Sequence, residues 1–91
     1  MFDWDEANLG HIARHGVSQE EAEQVILNDP VDGWRQVQDG EERFMQIGVT
    51  NALRALVVIV TWRGDLVRVV SAFPAPPGLR NFYASARSKS W

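Results

Sequence analysis

The 91-residue chain contains no cysteine, which excludes disulfide stapling and thiolate metal sites and makes an intracellular setting the expectation. It also lacks a long apolar run. The most apolar stretch, Ala55 to Trp62, is too short to span a bilayer, which takes about 20 residues. The opening Met1-Phe2-Asp3-Trp4-Asp5-Glu6 is acidic, with no basic region and no apolar core, so it does not read as a signal peptide. Together these point to a cytoplasmic protein. Histidine is scarce, with only His11 and His15 present. No repeat, linker or low-complexity tract divides the sequence. The apolar fraction of 45% is ordinary for a globular chain, so residues 1–91 read as one small domain.

The apolar spacing predicts the order helix, helix, four strands, helix. Asp5 caps a first helix running to about Arg14, with Leu9, Ile12 and Ala13 as apolar positions and Gly16 as its stop. Ser18 and Glu21 form a capping box for a second helix, with Val17 and Ala22 at the staple positions. Ala22, Val25 and Ile26 are its inner face, and Asp29-Pro30 ends it. The period then changes to two. Short strands are expected at Trp34–Gln38, Arg43–Thr50, Arg54–Trp62 and Leu66–Phe73. The third is apolar at nearly every position and so reads as central and covered on both faces. Short connections, such as Arg63-Gly64-Asp65, favour antiparallel hairpins. Pro74, Pro76 and Pro77 break the sheet, and Leu79, Phe82, Tyr83 and Ala86 recur at helical spacing for a last helix packed back on it. The expected class is α+β: two N-terminal helices, a mainly antiparallel four-stranded sheet and a C-terminal helix.

Charge is unevenly placed. Residues 1–30 hold seven acids against Arg14 alone, whereas residues 43–91 hold seven bases against Asp65 alone. Such a chain can present a basic face to phosphate despite a net charge of −3. Alternatively, the two halves pair with each other or are solvated separately.

Two motifs then carry a family resemblance. The first runs from Phe2-Asp3-Trp4-Asp5-Glu6-Ala7-Asn8 through His11-Ile12-Ala13-Arg14-His15-Gly16-Val17-Ser18 to Glu20-Glu21-Ala22 and the Asp29-Pro30 stop. The second is Arg68-Val69-Val70-Ser71-Ala72, followed by Arg80 and Tyr83. In this order they resemble the BrnT family of toxins. The resemblance implies a RelE-like fold, metal-free ribonuclease activity without any cofactor, and neutralisation by a cognate ribbon-helix-helix antitoxin of the BrnA kind. It further implies that promoter DNA is bound through the toxin–antitoxin complex, with the antitoxin making most contacts. The chain departs from the family pattern in three places: Phe73 stands in place of an arginine, Leu79 in place of a glutamate, and Ala7-Asn8 where the first motif usually has a lysine.

Metal-free RNA cleavage requires the 2′-hydroxyl to lose a proton, the phosphorane charge to be stabilised and the 5′-oxygen to gain a proton. Arginine suits the second task through its planar fork, and histidine as a residue type suits proton transfer. Asn8, His11 and His15 share one helix face. Three readings of that stripe stay open: proton transfer, an i, i+4 metal pair, or a structural role, with His15 at the negative end of the helix dipole. Arg68 reads either as a phosphate clamp or as the ion-pair partner of an acid in the first helices. Arg80 is a second phosphate candidate. Tyr83 offers a hydroxyl or a core ring. Arg43, Arg54, Arg63, Arg87 and Lys89 make up the expected RNA-binding surface. Trp34 and Trp91 are candidates for the antitoxin surface, where tryptophan is a frequent anchor. A rival reading keeps the scaffold and the partner but not the catalysis, and Phe73 and Leu79 favour it. A stand-alone DNA-binding regulator is disfavoured by the acidic first third and the lack of a recognition helix.

Overall fold

The computed structural model describes residues 1–88. The chain runs α1 (Glu6–Ala13), α2 (Gln19–Leu27), β1 (Val31–Gln38), β2 (Glu41–Val49), β3 (Ala55–Arg63), β4 (Leu66–Pro74) and α3 (Pro77–Ser88). This is the expected order and class. The four strands pair antiparallel in sequence order, β1-β2-β3-β4. A single parallel bridge, Phe2 to Val67, lays the N-terminal segment along the outer edge of β4. Among the described residues no helix is long and apolar enough to cross a membrane.

Local chemistry explains the helix ends. Asp5 accepts from the Asn8 backbone N–H while the Asn8 side chain accepts from the Asp5 N–H, a reciprocal box at the start of α1. Ser18 and Glu21 repeat the device at α2. Gly16 leaves α1 at φ 74, a conformation that costs glycine little. The turn then closes through the Val17 N–H onto the Ile12 carbonyl. Pro77 occupies the first position of α3, where its missing N–H would have no partner in any case.

Helices pack on both faces of the sheet. Toward α1 and α2 the core gathers Ile12, Val17, Ala22 and Val25 against Leu56, Val58, Val60, Val67, Val69 and Ala72. Toward α3, Ile47 and Val57 lie under Leu79 and Tyr83. β3 supplies both layers, as its unbroken apolar run requires. Tyr83 is therefore a partly buried packing residue. Two expectations about packing are corrected. Ala13 faces solvent, because α1 ends there and only its Ile12 side meets the sheet. Phe82 is 44% exposed, since α3 presents only its Leu79–Tyr83 stripe inward.

Asn8 is the polar exception in the α1–β4 seam. It is 4% exposed and donates to the carbonyls of Asp3 (3.0 Å) and Val69 (3.2 Å). Asn8→Ala removes the box and leaves the Val69 carbonyl without that partner. It should cost about 2 kcal/mol, read as a lower denaturant midpoint with an unchanged slope.

Candidate functional site

β4 carries an irregularity that decides what its side chains face. Val69 pairs with Val60 and Ser71 with Ile59, which leaves Val70 as an extra residue. Before this bulge Val67 and Val69 point into the α1/α2 core, and after it Ala72 does. Arg68 and Ser71 consequently share the opposite face, one that strict alternation would deny them. They meet Thr61 and Arg63 of β3 and Arg43 of β2 there. Asn8 and His11 of α1 close the side, with Glu41 at the far rim, around a cleft of about 460 Å³.

Within the cleft the cations differ in what holds them. The Arg68 side chain is 14% exposed, and its guanidinium is bonded to Asp5 (3.0 and 3.2 Å) and, more loosely, to Asp3 (3.5 Å). The Arg68 hydrogen bond, then the Asn8 N–H, holds the Asp5 carboxyl below its ordinary range, and the same contact with Asp5 raises the Arg68 pKa. Arg43 is bonded to Glu41 (3.2 Å) and Gln38 (3.1 Å). Arg63 is exposed and makes no ion pair among the described residues.

The remaining candidates lie elsewhere. Arg54 bonds Glu21 (2.9 Å) and the Gly16 carbonyl (2.8 Å), fastening the α1–α2 turn to the start of β3. Arg87 reaches from α3 to Asp29 at 2.6 Å. Arg80 is exposed on α3, away from the cleft lining. Lys89 and Trp91 lie outside the described residues. Thus Arg54, Arg68 and Arg87 each pair with an acid from the first thirty residues, so much of the polarised charge is used inside the molecule.

The histidines separate. His11 lines the cleft, whereas His15 stands one turn further along, in edge contact with His11 (ring centroids 5.5 Å) and with Phe73 (6.2 Å). Among the described residues no three His, Asp or Glu side chains gather in a way that could hold a metal ion. Glu41, Thr61 and Ser71 were not anticipated as cleft residues. Ser71 lies inside a quoted motif, but its direction depends on the bulge. Glu41 follows Asp39-Gly40, whose positive φ values of 52 and 76 make the tight hairpin that Asp-Gly signals.

On the side toward α2, a second and more apolar groove of about 370 Å³ runs past Ile26, Trp34, Phe44 and Trp62. Trp34 is 57% exposed and Trp62 59%.

Acid should weaken the fold through the two capping carboxylates. Glu21, like Asp5, has a lowered pKa, caused first by the Ser18 N–H and then by Arg54. A depressed folded-state pKa contributes stability that is present above the unfolded value and lost as pH falls through the folded one. Urea midpoints should therefore stay level above about pH 5 and drop below about pH 4. Glu21→Gln should reduce the drop.

No curated protein matches the chain. The family model described as "Ribonuclease toxin, BrnT, of type II toxin-antitoxin system" matches residues 4–77, a span that takes in both helices of the first motif, the whole sheet and every residue lining the basic cleft. The chain belongs to the BrnT family of ribonuclease toxins of type II toxin–antitoxin systems.

Proposed function

We propose that the chain is a metal-independent endoribonuclease and that the cleft beside α1 is where it cleaves RNA. The observation that carries this reading is the convergence of Arg43, Arg63, Arg68 and His11 on one open face of the sheet. Arg63 and Arg68 hold the scissile phosphate. Their forks stabilise charge as it builds on the non-bridging oxygens. His11 transfers the proton. The 2′-oxygen loses its proton and bonds to phosphorus, the bond from phosphorus to the 5′-oxygen breaks, and that oxygen is protonated. The products are a 2′,3′-cyclic phosphate and a 5′-hydroxyl. Arg43 contacts a flanking phosphate. Asp3 and Asp5 act as positioning residues, setting the direction of the Arg68 fork.

The partner is a cognate antitoxin of the ribbon-helix-helix class, and promoter DNA is reached through that complex. The exposure of Trp34 beside an apolar groove supports a place for it in the antitoxin contact. Trp34→Ala should weaken the complex by about 10-fold or more, measured by calorimetric titration of the antitoxin.

The catalytic reading is tested by incubating the purified chain with RNA in excess EDTA. Fragments ending in 2′,3′-cyclic phosphate are expected. Cleavage that needs added divalent metal, or that leaves 5′-phosphates, would contradict it.

A further inference from the structure

The ring contacts of α1 continue beyond the cleft and are not used in the chemistry above. His11 is a cleft wall; His15 touches its ring, and Phe73 touches His15 in turn, with interplanar angles of 73° and 62°. The row thus crosses from helix to sheet, leading away from the phosphate-binding arginines. His11 and His15 are both solvent-exposed, whereas Phe73 is half-buried against the α3-side core. Edge-to-face contact covers only part of each ring, and His15 stays exposed to solvent one turn along α1 from the cleft residue His11. Phe73 supports it from the sheet side.

Single-stranded RNA is recognised largely by stacking splayed bases on aromatic side chains, histidine included. A strand whose scissile phosphate lies between Arg63 and Arg68 carries its neighbouring base past α1. We infer that His15, backed by Phe73, is a stacking subsite for the unpaired nucleobase next to the cleaved bond. His15 is then a specificity residue, not a proton carrier. The subsite rests on the ribonuclease reading given above.

The experiment first maps a cleavage site with the wild-type chain. A short RNA spanning that site is then made with 2′-O-methyl groups throughout, which removes the attacking hydroxyl. Binding of this fluorescent RNA, intact or with single abasic positions, is measured for wild type, His15→Ala and His15→Phe. His15→Ala should weaken binding of the intact RNA by about 10-fold, and His15→Phe should restore it to within about 2-fold. One abasic position beside the cleavage site should weaken wild type by about 10-fold and leave His15→Ala unaffected. Equal binding by wild type and His15→Ala, with cleavage intact, would overturn the subsite but not the ribonuclease reading. So would a His15→Phe variant as weak as His15→Ala. Failure of the wild-type chain to cut any RNA would overturn both.

Discussion

Arg68→Ala should lower kcat/KM for RNA cleavage by roughly 100- to 1,000-fold, the range found when one preorganised transition-state donor is removed. The stability effect should be much smaller. Arg68 is ion-paired to Asp3 and Asp5, whose side chains stay 30% and 53% exposed, and pairs with partly solvated partners contribute about 1 kcal/mol or less. That corresponds to a Tm decrease of about 5 °C for a domain of this size. Arg68→Lys separates the two roles. A lysine keeps a charge near Asp5 but has no planar fork. It should recover most of the Tm and little of the activity. Activity recovered by lysine to near the wild-type rate would show that charge alone matters at this position.

The largest stability effect is expected in the central strand. Leu56 is fully buried and packs in the layer between β3 and the two N-terminal helices. Leu56→Ala removes buried methyl groups and leaves a cavity that the rigid sheet fills only in part. Such changes cost about 2–5 kcal/mol, or a Tm lower by roughly 10–25 °C. Leu53, exposed in the β2–β3 connection, is the control, and Leu53→Ala should shift Tm by little. Equal losses at the two positions would mean that β3 is not the core of the fold.

The elements with complete local signals were readable directly. The Ser18–Glu21 box, the Gly16 stop and the unbroken apolar run of β3 each have one structural solution, and each is realised. The charge pattern was readable only as a sum. Seven bases in the second half say nothing of which acids they meet, and in the fold Arg54, Arg68 and Arg87 meet Glu21, Asp3 with Asp5, and Asp29. Arg68 accordingly takes the ion-pair role that one of its sequence readings offered, with Asp3 and Asp5 as partners, and it also lines the cleft. The shape of the site was hidden for a more specific reason. A bulge at Val70 has no sequence mark in Arg68-Val69-Val70-Ser71, yet it brings Arg68 and Ser71 to one face. His11 and His15 looked equivalent on a helical stripe. Only the sheet edge beneath α1 distinguishes the one lining the cleft from the one against Phe73.

The most direct test of the central claim is to induce the chain alone in a bacterial host and follow growth and total RNA, beside strains carrying Arg68→Lys and His11→Ala. A ribonuclease acting through the α1 cleft should arrest growth and degrade RNA in the first strain only, with all three proteins soluble and folded. Normal growth and intact RNA with the wild-type chain would contradict it, leaving a folded scaffold that binds its antitoxin without cutting RNA.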